Sequence, residues 1–226
     1  MFKLISKYSK TGNLKYISHL DVLRFIQRSI KRAGFPAKYS EGFNPHMKTS
    51  FGYPLSLGIE SVGEYFEIEL NENIEPEQFI LGMNKVLPKE MQIIKSRVTD
   101  DEESIMTRCA YAEYIINLES ENIDVTMLQE LFKEMMETGV IYSRQKKNKK
   151  NKLVTKEINT KEYIKYLKAE KISDNKITVE AEFLTTEMGS MKIDEFLKLI
   201  IERGFNIEYY SVMKIDSLDK EMNPIL

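Results

Sequence analysis

Residues 18–51 read SHLDVLRFIQRSIKRAGFPAKYSEGFNPHMKTSF and hold both histidines of the chain, His19 and His46, together with its densest run of arginines. The first half of the stretch carries helix signals in order. Ser18 followed by Asp21 has capping-box spacing, in which a hydroxyl and the carboxylate three residues on satisfy free backbone donors. Val22, Leu23, Ile26, Ile30 and Ala33 recur at threes and fours and define one buried stripe, and Gly34 supplies the left-handed residue that ends it. The spacing predicts a helix over 19–33. Asp21, Arg24, Arg28 and either Lys31 or Arg32 share another face, so two or three cations project as a row. Taken alone, that row reads as a solvated face with an Asp21–Arg24 pair, with a binding surface as the alternative.

The second half adds turn chemistry and large side chains together. Gly42 can take positive φ, and the proline of Asn44-Pro45 disfavours the right-handed helical region at Asn44. Tyr39, Phe43 and His46 are bulkier than a surface turn requires. Aromatic and basic groups on a loop beside a helix N-terminus, where free N–H groups favour negative charge, make a candidate surface for an anion or nucleotide. The candidate ligand-binding set is Ser18, His19, Asp21, Arg24, Arg28, Tyr39, Ser40, Gly42, Phe43, Asn44, His46 and Lys48. The 42–46 loop is expected to pack on the first turn of the 19–33 helix.

The words SHLD, YSEGFNPH and SFGYPLSLGIES, at residues 18–21, 39–46 and 50–61, stand in an order that resembles the radical-SAM-linked protein family, a bacterial domain found alone or joined to a radical-SAM enzyme. The resemblance is close over residues 1–70 and loose after about residue 100. Lys48, two positions before Ser50-Phe51, fits the basic residue found there in relatives. The resemblance implies a radical-SAM enzyme as partner and brings no established activity. The chain has no Cys-x3-Cys-x2-Cys to hold an iron–sulfur cluster, so it is not itself such an enzyme.

Outward from this stretch, residues 2–7 alternate as a strand, a Thr11-Gly12-Asn13 turn follows, and 14–17 reads as a second extended piece. Residues 35–39 and 50–57 read as short extended segments. In 63–70, Phe66, Ile68 and Leu70 alternate with Tyr65, Glu67 and Glu69, the pattern of a strand with one face in water. Pro76 opens a helix carrying Phe79, Ile80, Met83, Val86 and Leu87, and Pro88 stops it. A strand at 91–98 completes a β-α-β-β-α-β order. The polar run DDEES at 100–104 reads as a linker.

Beyond it, strands at 110–118, 140–144, 153–158, 177–183 and 205–215, helices near 125–138 and 193–203, and a short helix at 163–167 repeat that order. The fold class expected is therefore α+β with two tandem ferredoxin-like units, residues 1–100 and 105–226. One larger mixed sheet with helices on one face is the rival. The QKKNKKNK tract at 145–152 sits at a hairpin tip, as a solvated finger or a phosphate contact.

The net charge of −2 conceals an asymmetry. Residues 1–60 carry 10 Lys and Arg against 3 Asp and Glu, a balance of +7, and the remainder carries 23 against 32, a balance of −9. The basic segment points to an anionic partner. No stretch reaches the ~20 apolar residues of a membrane span, and the N-terminus lacks a signal-peptide pattern. A single cysteine, Cys109, excludes an intrachain disulfide and suits a reducing cytoplasm; beside a strand-like run it reads as a buried structural thiol, with a nucleophile as the alternative. Walker, dinucleotide, nucleophile-elbow and zinc-spacing motifs are absent, so no cofactor or metal is expected.

The function expected is a cytoplasmic, RNA-associated accessory protein that binds single-stranded RNA or another anionic ligand through its N-terminal part. The enzymatic alternative is a metal-free endoribonuclease with His19 and His46 as acid and base, His19 being held neutral by the helix dipole. A third reading is a protein-binding subunit that presents substrate to a separate radical-SAM enzyme.

Overall fold

A computed structural model describes residues 2–121, 124–147, 151–186 and 189–226, with only the backbone described at 146 and 147. Asn148, Lys149 and Lys150 of the lysine-rich tract therefore lie outside the described residues. The chain is a mixed α/β protein whose strands pair mostly antiparallel. It divides into two compact units, Met1–Ala112 with Met213–Leu226, and Glu113–Val212. The expected boundaries differ in two places. The 100–104 run belongs with the first unit, where Asp101 accepts from Thr99 Oγ1 at 2.6 Å and pairs with Arg108. The last 14 residues return to that same unit.

In the first unit β1 (Phe2–Lys10), α1 (His19–Arg32), β2 (Thr49–Phe51), β3 (Glu60–Leu70), α2 (Pro76–Asn84) and β4 (Ile93–Val98) follow one another, and a one-turn helix, α3 (Ile105–Arg108), comes next. β1 lies between β3 and β4, antiparallel to both, with Phe2 opposite Leu70 and Leu4 opposite Val98. β2 runs antiparallel to β3 with Thr49 opposite Ile68, which gives the order β4-β1-β3-β2. The returning strand β11 (Tyr209–Leu218) joins β3 in parallel at Met213–Glu60 and Lys214–Ser61. Gly63 is required there, because a Cβ would stand 2.4 Å from Asp216 Cα.

Leu4, Tyr8, Phe66, Ile68 and Leu70 from the strands meet Val22, Ile26 and Ile30 of α1 and Phe79 and Met83 of α2 in one apolar core. The periodicity places both helices on the same sheet face for this reason. The other face is not open to water as the alternation of β3 suggests. Tyr65 and Glu67 are both 2% exposed. Ile5 and Tyr65 pack there with Ile105, Cys109 and Ile225. Glu67 is held by Lys3 Nζ at 3.2 Å and Arg108 at 2.9 Å, and Asp216 by Lys7 Nζ at 2.6 Å and the Tyr65 hydroxyl at 2.5 Å. The charged groups on this face are thus satisfied by partners from distant segments, as burial demands.

Three local expectations change. Residues 14–17 are not extended: Gly12, at φ +55°, opens a 3-10 turn, Gly12–Tyr16. The 35–39 segment contributes only isolated bridges, Ala37–Leu70 and Tyr39–Met47. Of 50–57, only the first residues pair with β3.

The second unit contains all but the first two residues of β5 (Tyr111–Glu119), then α4 (Val125–Glu137), β6 (Ile141–Lys147), β7 (Leu153–Asn159), β8 (Ile164–Ser173), β9 (Lys176–Thr186), β10 (Gly189–Ser190) and α5 (Ile193–Glu202), and closes with the start of β11. β8 and β10 pair with β9, which is followed by β5 and β11, while β6 and β7 form a separate two-stranded ribbon. This order does not repeat that of the first unit. The helix expected at 163–167 is the start of β8, because Leu167 opposite Ala181 and Ala169 opposite Val179 supply strand pairing that outweighs the helix propensity of Lys165 and Leu167. Phe132 of α4 and Phe183 of β9 both pack on Phe196 of α5, at ring distances of 5.8 and 5.2 Å.

Candidate functional site

α1 begins as its sequence indicates. Ser18 Oγ accepts from Asp21 N at 3.2 Å and donates to Asp21 Oδ2 at 2.7 Å. Ser18 and Asp21 are therefore engaged in the cap. Asp21 also lies 3.8 Å from Arg24, a contact between exposed groups that contributes little.

Beyond the cap, Arg24, Gln27, Arg28 and Lys31 follow at spacings of three, one and three along one helix face. Opposite them stands the 39–47 loop, whose mouth is closed by the Tyr39–Met47 bridge. Ser40 N donates to His46 O at 2.9 Å, and His46 N donates back to Ser40 Oγ at 3.0 Å. Gly42 takes φ +119° at the tip. His46 Nδ1 lies 3.0 Å from Asn44 O. A carbonyl oxygen only accepts, so Nδ1 carries the proton and Nε2 is the ring nitrogen left for another partner.

Between helix and loop lies a cleft of about 290 Å³ lined by Arg24, Gln27, Arg28, Lys31, Tyr39, Pro45, His46 and Met47. No carboxylate is in that lining. Lys31 Nζ stands 5.4 Å from the centre of the Tyr39 ring, within cation–π range. Gln27 is oriented by a 2.9 Å hydrogen bond to Thr49 Oγ1. Arg28 makes no hydrogen bond or ion pair among the described residues. The face resolves the choice between Lys31 and Arg32: Arg32 turns away to donate to Val86 O at 2.5 Å.

Of the residues singled out by sequence, Arg24, Arg28, Tyr39 and His46 come together here, while Ser40, Gly42 and Asn44 shape the loop. The loop meets the middle and end of α1 and not its first turn, because the short β2 ties residue 49 to Gln27. Phe43 is fully exposed at the loop tip. Lys48 pairs with Glu69 at 3.5 Å, a carboxylate shared with Lys38. Gln27, Pro45 and Met47 were not among the expected residues; the first is legible as one position from Arg28 on the helix, and the others only from the loop's fold.

His19 is not in the lining. Its ring meets Phe51 edge-on at 6.2 Å. Its pKa is lowered chiefly by burial, opposed by Glu64 and assisted by Lys10. Lys10, Glu64 and Lys214 form a buried polar group that sequence reading missed: Glu64 Oε1 accepts from Lys214 Nζ and from Ser61 Oγ, each at 2.8 Å, and Lys10 Nζ donates to Ile17 O at 3.1 Å.

Cys109 is buried, and burial pushes its thiol up to about 11, the state of a structural thiol and not of a thiolate nucleophile. Among the described residues no three His, Cys, Asp or Glu side chains are placed to hold a metal ion. In the second unit the basic ribbon is anchored: Arg144 Nε donates to both Glu195 oxygens at 2.9 and 3.0 Å, and the Tyr142 hydroxyl donates to Glu195 at 2.7 Å. A groove of about 830 Å³ beside it is lined by side chains of both signs, including Glu195, Glu202, Lys198 and Arg203.

Fold and cleft together define a mixed α/β protein with a mostly antiparallel sheet and a cationic cleft on the helix side of its first unit. Residues 3–193 match the family described as "Uncharacterized protein conserved in bacteria (DUF2344)", and the chain belongs to that family. No curated protein matches. Among solved structures, the chain is similar to one in a crystal structure of a Cbf5-Nop10-Gar1 complex, with a TM-score of 0.53 and 11% identity over 95% of this chain. It spans about half of that protein, 48%. A chain in a structure of an H/ACA RNP bound to a substrate RNA containing 2′-deoxyuridine has a TM-score of 0.49 at 12% identity, covering 96% of this chain and 47% of its own length. At such identities the likeness concerns the fold alone. No helix among the described residues is long and apolar enough to cross a membrane.

Proposed function

We propose that this protein binds single-stranded RNA through the cleft between α1 and the 39–47 loop. The observation that carries the reading is the convergence of Arg24, Arg28, Lys31 and His46 on one cleft whose lining has no acidic side chain. Phe43, fully exposed, and Tyr39 supply aromatic faces on which bases stack. The first unit has the β-α-β-β-α-β succession and the β4-β1-β3-β2 order, and we read it as ferredoxin-like. Four-stranded sheets of that kind often bind RNA on the open sheet face. Here that face is covered by Ile105, Cys109 and Ile225, which favours the helix side. We read the protein as an accessory factor acting beside a separate radical-SAM enzyme in the reducing cytoplasm, a setting that suits its single buried thiol. The endoribonuclease reading gains no support from the cleft, since His19 is outside its lining and His46 has no second imidazole there.

The test is binding of a fluorescent single-stranded RNA as salt is varied. Each phosphate contact should contribute a slope of roughly −0.7 in log K against log salt. Arg28→Ala should flatten the slope, while Phe43→Ala should weaken binding and leave the slope unchanged. Absence of binding at low salt, or indifference to both substitutions, overturns the reading in favour of a subunit that binds protein.

A further inference from the structure

The cleft is small and its charges are concentrated, and both facts bear on which part of an RNA it takes. A fold that follows a single strand contacts roughly 4–16 nucleotides. The cleft encloses about 290 Å³, near the lower end of the ~300–1,000 Å³ typical of pockets for small ligands. Its cations are gathered on one short helix face. Arg24, Arg28 and Lys31 lie at i, i+4 and i+7 of one helix, where successive members stand about 5–6 Å apart at Cβ, and all three line this one cleft. Such a cluster suits one concentrated charge. An internal phosphodiester carries a single negative charge, whereas a phosphomonoester carries about −1.5 to −2 at neutral pH and offers three acceptor oxygens.

The state of the side chains agrees with this. Arg28 has no ion pair or hydrogen bond among the described residues, although its planar fork is suited to two parallel bonds to phosphate oxygens. Lys31 rests on the Tyr39 ring without an ion pair among the described residues, and His46 keeps Nε2 unengaged because Nδ1 is held by Asn44 O. Arg28 and Lys31 are thus held on one wall with no carboxylate in the lining, and Arg24 beside them meets only the exposed Asp21 at 3.8 Å. We infer that this cleft recognises a phosphomonoester, the phosphate at an end of an RNA strand, in preference to the diesters along it. The inference rests on the RNA-binding reading above for the identity of the strand, and the same chemistry would also admit a free mononucleotide.

The test compares one ten-nucleotide RNA in three forms, with a 5′-phosphate, a 3′-phosphate or hydroxyls at both ends, alongside direct titration with adenosine monophosphate. One phosphorylated form should bind about tenfold or more tightly than the hydroxyl form, the difference expected of one added charge-assisted bond. Arg28→Ala should abolish that preference and Arg28→Lys should retain part of it, with circular dichroism melts reporting that both variants fold. If all three RNAs bind alike and Arg28→Ala weakens them equally, RNA binding stands and end recognition is overturned. If adenosine monophosphate binds in an Arg28-dependent way and no RNA does, the phosphomonoester site stands and the RNA reading falls. If neither RNA nor mononucleotide binds, both are overturned.

Discussion

In the first unit Arg28 projects from α1 into a cleft with no carboxylate in its lining. In the second unit Arg144 donates from Nε to both oxygens of Glu195 and from a terminal nitrogen to Ser190 O at 2.8 Å. The side chains are the same, and each sits in a segment rich in bases. What differs is the presence of a long-range acidic partner. Arg144 has its partner 51 residues away on α5, and Arg203 likewise meets Glu134 at 2.9 Å. Charge density in a sequence therefore does not locate a binding site. The informative cations are those that folding leaves without an acid.

If this contrast is correct, substitutions should separate into those that change stability and those that change binding. The largest effect is expected at Glu67, which neutralises Lys3 and Arg108 under the buried face of β3. Glu67→Ala leaves Lys3 without its carboxylate and Arg108 with Asp101 alone, and should cost about 3–5 kcal/mol, read as a lowered urea midpoint at unchanged m-value. A smaller loss would mean that the ion pairs on this face are as weak as surface pairs. Glu195→Ala should cost about 2–3 kcal/mol, because the Arg144 network is only partly buried. A loss under 0.5 kcal/mol there would remove the distinction between Arg144 and Arg28.

Cys109 sharpens the same contrast through burial, which outweighs the opposing effects of Lys214 and Ser217 beside it. Its thiol is pushed up to about 11 from an ordinary 9.0. Between these values the unfolded thiol has released its proton and the folded one has not, so stability should fall as pH rises through that window, by about 2–3 kcal/mol at its upper end. Lys10, whose pKa burial lowers, contributes with the opposite sign. The measurement is therefore the difference between the native chain and Cys109→Ala, in which the thiol's share of the slope should disappear. The smallest effect on stability is expected at Arg28. Arg28→Ala at an exposed helix position should change the unfolding free energy by less than about 0.5 kcal/mol while weakening RNA binding about tenfold. A large stability loss at this position would show that the cleft cations serve the fold.

Much of the first unit is legible because its signals are local. The cap at Ser18, the stripe of Val22, Ile26 and Ile30, and Gly34 at φ +78° all act within a few residues, and α1 forms where they indicate. Half of the candidate site follows from the same arithmetic, since helix spacing alone aligns Arg24, Arg28 and Lys31. Lys48 does not follow, because Glu69 engages it across β2 and β3, and His19 does not, because Phe51, Lys10 and Glu64 enclose it from other segments. The second face of β3 is illegible for a similar reason. An alternation of Tyr65 and Glu67 with apolar residues reads as a strand half in water, and only Ile105, Cys109 and Ile225 convert that face into a core.

The sequence by itself determined the capped helix, its basic face, the turn chemistry of residues 42–45 and the succession of elements in the first unit. Those features depend on backbone hydrogen bonds and side-chain periodicity over one or two turns of chain. The tertiary structure alone decided that residues 213–226 return to the first unit, that Glu67 and Asp216 are neutralised beneath the sheet, and that Arg28 and Lys31 keep no acidic neighbour in their cleft. Which charges pair depends on which distant segments are brought within about 4 Å, and no local pattern in the chain encodes that distance.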